Sequence, residues 1–290
     1  MQQYAAYFFL RLFVGLFYLL PFRALYVLSD ALAFVLLRVI GYRKKVVLEG
    51  LRRAFPEKTE AEIWQIARRS YQNLADTTLE SVKLFTLSLA EVERRCPCRN
   101  PELVNQYLDQ GRSIILSGSH FCNWEISGLS IPLGFRGATV TAYKPLTNKV
   151  IDRYLNRNRS RAGMEMVSME ATFAEMRRRR EQPTAFILLA DQSPSSPKSA
   201  HWVDFLGQDS ASLPGVDVLA RKFNCPVLYF NVQRLRRGYY EVRYEMVWEN
   251  PAEAAERDIT RAYAQHLENI IRAQPENWLW SHRRWKISRQ

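Results

Sequence analysis

Apolar positions are densest at the start of the chain. From Tyr4 to Leu20 only Arg11 is charged, and after Pro21 a second apolar run, Phe22 to Ile40, carries Arg23, Asp30 and Arg38. Seventeen helical residues span about 26 Å against a hydrocarbon core of about 30 Å. The first run is therefore marginally long enough to cross a bilayer, and Arg11 near its middle costs roughly 2.5 to 3.5 kcal/mol on insertion scales. Aromatic residues at Tyr4, Tyr7, Phe8, Phe9, Phe13, Phe17 and Tyr18, with a helix break at Pro21, fit a membrane anchor and an interfacial helical hairpin equally. A buried helix pair of a soluble protein is the plainer alternative. No small-residue cleavage site follows, so the run does not read as a removable signal peptide. Arg43-Lys-Lys45 comes next and predicts that the body of the protein lies on the cytoplasmic side. Residues 1–42 are thus expected to be a membrane anchor or interfacial helices, and residues 43–290 one catalytic-sized domain.

Periodicity changes further along. Thr59-Glu-Ala-Glu62 is a capping-box pattern, and Ile63, Ala67, Tyr71 and Leu74 recur at helical spacing after it, which predicts a long amphipathic helix from 60 to about 84. A polar connection with Pro97 and Pro101 leads to a short helix around Leu103 to Leu108. From Ser113 onward, β-rich runs (Ile114 to Leu116, Thr139 to Tyr143, Ala185 to Ala190, Val227 to Val232, Tyr239 to Trp248) alternate with helical patterns. The helical patterns lie near Trp124 to Ile131, Asn148 to Arg161, Ala171 to Arg180, Leu213 to Lys222 and Ala252 to Ala273. Such alternation predicts an α/β fold, a central mixed sheet flanked by helices. Ser193-Pro-Ser-Ser-Pro-Lys198 is the most loop-like stretch, held just past a strand end where sites commonly lie.

Charge narrows the partners. Lys and Arg number 41 against 29 Asp and Glu, a formal net charge of +12, which favours an anionic partner or surface. The chain has no zinc finger, RNP motif or basic region with heptads, so nucleic acid is not expected. Four cysteines (Cys96, Cys98, Cys122, Cys225) are too few for a disulfide framework. Metal and nucleotide sites are not expected either, because no H-E-x-x-H, Walker or dinucleotide glycine pattern is present.

The chemistry-bearing string is His120-Phe-Cys-Asn-Trp-Glu125. On one continuous helix the two side chains would stand about 140° apart, so the pair must straddle a loop and a helix start. There Glu125 can accept from one ring nitrogen of His120 while the other takes a substrate proton. A helix cap with a satisfied imidazole is the ordinary alternative. Ser117, Ser119 and Cys122 lie nearby, but Ser117-Gly-Ser-His120 is no G-x-S-x-G elbow. Arg159 and Arg161 follow a helical stretch and suit phosphate or carboxylate groups, or a solvated basic face, and Asp191 precedes a Ser-Pro turn.

The His-four residues-Glu motif resembles that of the glycerolipid and lysophospholipid acyltransferase superfamily. Around it, Tyr42-Arg-Lys-Lys-Val-Val-Leu-Glu49, Ala54-Phe-Pro-Glu57, Tyr143-Lys-Pro145, Asp191-Gln192, Phe205-Leu-Gly207 and Trp280-Ser-His-Arg-Arg284 resemble the bacterial lipid A biosynthesis late acyltransferases, the lauroyl and myristoyl transferases. The likeness runs from about residue 4 to 286. It implies a cofactor-free transfer of a fatty acyl chain from acyl carrier protein to a hydroxyl of a lipid A precursor, at the cytoplasmic face of the inner membrane. It makes His120 the base, Glu125 its partner, and Lys144, Arg159, Arg161 and Asp191 substrate-binding residues. Cys122 stands where glycine is frequent and Lys144 where arginine is usual; lysine keeps the charge but loses bidentate phosphate recognition. A lysophospholipid or aminolipid acceptor, and a non-catalytic basic membrane- or nucleic-acid-binding protein, are the rival expectations.

Overall fold

The computed structural model describes residues 2–289. The two N-terminal runs are helices, α1 (Gln2–Leu19) and α2 (Phe22–Phe34), separated at Pro21, which has no N–H to continue a helix. α2 passes into a π turn, Val35–Val39, and the chain reverses through Gly41 and Arg43, both left-handed, into α3 (Lys44–Ala54). No single described helix is long and apolar enough to cross a membrane; Phe22–Val39 and Lys44–Ala54 reach that standard only as a pair bent by 88°.

α4 (Glu60–Lys83) starts at the expected capping box, where Thr59 Oγ1 accepts from the Glu62 N–H and the Glu62 carboxylate from the Thr59 N–H. Its buried stripe, Ile63, Ala67 and Tyr71, packs into the core. Its polar buried residues hold α2, since Ser29 donates to Asp76 (2.6 Å) and Tyr26 to Glu80 (2.9 Å). The outer side of the N-terminal helices is apolar and open: Phe8, Phe9, Leu16, Leu19, Val27 and Phe34 are each more than half exposed.

After α5 (Leu89–Arg95) and α6 (Glu102–Asp109) the chain alternates: β1 (Ile114–Gly118), α7 (Trp124–Ser130), β2 (Ala138–Tyr143), α8 (Lys149–Ser160), β3 (Met164–Ser168), α9 (Thr172–Arg178) and β4 (Thr184–Leu189). A small hairpin, β5 (His201–Phe205) and β6 (Gln208–Ser212), is followed by α10 (Gly215–Phe223), the long hairpin β7 (Val227–Arg236) and β8 (Tyr239–Trp248), and α11 (Asp258–Ala273). Six strands form one sheet in the order β3-β2-β4-β1-β7-β8, parallel except at β8, so the mixed sheet is as expected.

Three elements depart from the expectation. β3 is an edge strand in which buried Met164 and exposed Glu165 are followed by three half-buried residues, with no clean alternation. The β5–β6 hairpin turns at Leu206 (φ 54°) and Gly207 (φ 69°), the two left-handed central residues of a type I′ turn. α11 begins at Asp258 rather than near Ala252, because Pro251–Glu253 forms a separate 3-10 turn.

Gly118 ends β1 where the Phe230 ring presses on the backbone; a Cβ there would lie 2.1 Å from the ring. Glycine serves close approach here. Gly118→Ala is expected to lower stability by about 1 to 3 kcal/mol, the usual range for forced overpacking, read as a lower urea midpoint.

Candidate active site

β1 and β4 are paired so that Gly118 faces Leu189. Two residues beyond each, His120 and Asp191 therefore emerge side by side at the carboxyl edge of the sheet, the usual place for a site in a parallel α/β fold. His120 Nδ1 lies 2.8 Å from Asp191 Oδ1, and the His120 backbone N–H donates to Oδ2 (3.0 Å). Trp278 Nε1–H donates to the same oxygen from the C-terminal segment (3.1 Å). Burial opposes ionisation of Asp191, but the charge and hydrogen bonds of His120, with Trp278, hold its pKa below the ordinary carboxylate value.

With Asp191 ionised, Nδ1 of His120 carries the proton and donates, which leaves the Nε2 lone pair free to accept. Burial disfavours the imidazolium, yet Asp191, by charge and hydrogen bond, and then Glu125, by charge, raise the His120 pKa above its ordinary value. The Gln192 amide nitrogen lies 3.3 Å from Nε2, the position a hydroxyl must take to give up its proton. His282 Nε2 accepts from the Ser193 N–H (3.2 Å) and so fixes the turn after Gln192. Burial brings the His282 pKa down to about 4, so it stays neutral and able to accept.

His120 and Gln192 line a cavity of about 320 Å³ walled by Trp124, Ile131, Met166, Leu189 and Phe230. Glu125, Lys144 and Arg159 also line it. The Trp124 ring stands edge-on to the imidazole, centroids 5.0 Å apart. An apolar chain fits the walls, and a charged headgroup fits the basic side chains.

The profile of the family described as bacterial lipid A biosynthesis acyltransferase matches residues 1–287. The chain belongs to that family. The lipid A biosynthesis lauroyltransferase of Escherichia coli (strain K12) is 24% identical over 271 residues, 92% of this chain and 87% of that protein. The lipid A biosynthesis acyltransferase of Haemophilus influenzae (strain ATCC 51907 / DSM 11121 / KW20 / Rd) is 24% identical over 283 residues, 93% of this chain and 85% of that protein.

As a member of the lipid A acyltransferase family the protein is an acyltransferase, and the placement of its expected site residues can be judged by that chemistry. The two motif residues straddle a loop and a helix start as the spacing required: His120 lies in the loop, and α7 begins at Trp124 with Asn123 as its cap. One detail is corrected. Glu125 does not hydrogen-bond His120; it takes a bidentate pair from Arg159 of α8 (Nη2 to Oε1 2.6 Å, Nε to Oε2 3.2 Å). Asp191 occupies the ring nitrogen instead, because strand register brings it there.

Arg161 is corrected as well. It lies off the cavity and donates to the carbonyls of Leu84 (2.9 Å) and Leu87 just past α4. Two residues along a helix turn a side chain by about 200°, so Arg159 and Arg161 cannot serve one site. Lys144 is exposed on the cavity wall.

The competing nucleophiles are occupied. Ser117 donates to the Leu188 carbonyl (3.2 Å) and Ser119 pairs with the Tyr229 hydroxyl (2.6 Å). Burial pushes the Cys122 thiol up, away from the thiolate. Cys122 also has φ 51°, a left-handed conformation that glycine adopts without strain. Gln192 and His282 carry no signal in the sequence beyond the strings Asp191-Gln192 and Trp280-Ser-His-Arg-Arg284, and Trp278 carries none.

Proposed function

We propose that this acyltransferase moves a fatty acyl chain from an acyl carrier protein thioester to a hydroxyl of a lipid A precursor, at the cytoplasmic face of the inner membrane, with His120 as general base. The observation that carries this reading is the Asp191-bound His120 on the wall of an apolar cavity with a basic side. Acceptor oxygen attacks the thioester carbonyl as its proton passes to Nε2, giving a tetrahedral adduct. Collapse breaks the C–S bond, and the leaving thiolate takes the proton from the imidazolium. Ester and free thiol are the products, and histidine returns neutral. No covalent enzyme intermediate is needed, since the thioester is already activated.

Glu125 acts through charge. Arg159 holds it near the imidazole, where its charge favours the protonated ring formed in the adduct. The exposed apolar sides of α1 and α2 support a bilayer-surface location, because contiguous apolar surface of this kind is seldom left to water. Their aromatic and aliphatic side chains would lie at the depth of the acyl chains, with the sheet on the aqueous side.

Detergent-solubilised protein incubated with acyl carrier proteins of several chain lengths and an under-acylated lipid A precursor tests donor, acceptor and reaction together. The expected result is one acyl ester per thiol released. Absence of transfer to the precursor alongside transfer to a lysophospholipid or aminolipid would redirect the acceptor assignment, and release of thiol without ester would end the transferase reading.

A further inference from the structure

Arg11 is the only charge between Tyr4 and Leu20. On a helix facing lipid such a charge is costly unless something neutralises it. In the fold it turns toward α8: Arg11 Nη1 donates to the Tyr7 hydroxyl (3.1 Å), and its guanidinium lies 5.7 Å from the Tyr154 ring centre. Tyr154 is itself fixed by stacking on Phe85 at 5.0 Å. Arg157, three residues on along α8, opens on the same groove of about 570 Å³, with Tyr18 and Thr86 also on its walls. Among the described residues neither Arg11 nor Arg157 is ion-paired with a carboxylate, whereas Arg159 is.

The groove is not isolated. It shares Val14 and Phe85 with a second hollow of about 200 Å³, which shares Glu125 and Arg159 with the catalytic cavity. The groove and the catalytic cavity are thus neighbours through this hollow, with the Glu125–Arg159 pair on the wall between them. Along α8 Tyr154 and Arg159 differ by about 7.5 Å of axial rise and about 140° of rotation, so a multi-ring headgroup reaching both must follow the hollow around the helix.

We propose that Arg11 and Arg157, with the surrounding tyrosine hydroxyls, form a phosphate subsite that grips the headgroup phosphate of the acceptor lipid while its hydroxyl lies at His120. Two guanidiniums supply paired N–H donors and the phenols single ones, the donor set that a doubly charged phosphate monoester takes. The inference rests on the acceptor proposed above, and it gives a role to the one charge between Tyr4 and Leu20.

The test uses the full chain in neutral detergent, with the lipid A precursor and the same lipid after phosphatase treatment. Hydrogen bonds to charged groups contribute about 1.5 to 3 kcal/mol, so Arg11→Ala with Arg157→Ala is expected to raise KM for the phosphorylated lipid by about 10- to 100-fold, with a smaller effect on kcat. Removing the phosphate is expected to cost wild type a similar factor, and the two losses should overlap rather than multiply. Unchanged KM, or losses that multiply, would overturn the subsite. If the arginines instead hold bulk phospholipid, the double variant will bind anionic vesicles more weakly while KM in neutral detergent stays put, which also overturns it. Should wild type acylate neither lipid, the functional reading fails by itself; equilibrium binding of both lipids to the His120→Ala protein, with and without the arginine substitutions, then decides the subsite alone.

Discussion

Replacing His120 by alanine is expected to lower kcat by about 10² to 10⁴, the contribution of a positioned general base, and also to lower the unfolding midpoint, since the buried Asp191 carboxylate loses its main partner. Asp191→Asn is the sharper probe. An amide in place of the carboxylate presents donors as well as an acceptor to Nδ1 and the other nearby N–H groups, and can leave the imidazole in the wrong tautomer; the same change in a serine protease triad lowers kcat by about 10⁴. The pH profile carries a sign that distinguishes the roles. In wild type the base works only when neutral, so kcat/KM falls as pH drops through a pKa raised above the ordinary histidine value by Asp191 and Glu125. In Asp191→Asn the charge that raises it is lost and burial, which lowers it, remains. The acid limb should therefore move to lower pH even as the plateau falls. Glu125→Gln should move the limb in the same direction by less, because Glu125 acts on the ring without a hydrogen bond. An acid limb that stays in place in Asp191→Asn would mean that another group titrates there.

The sheet was legible in the chain because β1 and β4 are short apolar runs between helical periods, and α4 because its capping box and stripe agree. The β5–β6 hairpin was hidden: its strands, His201–Phe205 and Gln208–Ser212, are rich in polar residues, and its partners are α11 and the distant C-terminal segment, where Arg284 donates to the Ala211 carbonyl and Ser212. The site shows the same limit. Glu125 offered itself as the histidine's partner because it is five residues away in sequence, whereas Asp191 is 71 away and becomes a neighbour only through the β1–β4 register. Position after a strand marked Asp191 as noteworthy. Only the strand order could say what it touches.

Asp76→Ala is expected to be the most destabilising single change outside the catalytic pair. Its carboxylate is fully buried and accepts from Ser29 of α2, from Gln72 within α4, and from Arg234 (2.6 Å) and Arg237 (2.7 Å) at the β7–β8 turn. Alanine would leave two guanidiniums facing each other with their main counter-charge gone. Breaking a buried pair in this way costs about 3 to 5 kcal/mol. The lower end applies here, because Arg237 keeps 30% of its side chain in solvent and a second partner, Asp30. Ser29→Ala removes the hydrogen bond to Asp76 and a longer one from Gln72 (3.4 Å) and should cost about 1 kcal/mol. The two variants separate charge compensation from simple docking of α2. If α2 is held by its polar side, both should expose the Leu20–Pro21 junction to protease before the sheet unfolds, Asp76→Ala far more than Ser29→Ala. Equal protease resistance and an unchanged unfolding midpoint in Asp76→Ala would show that the apolar packing of α2 on α4 holds the N-terminal helices without this cluster.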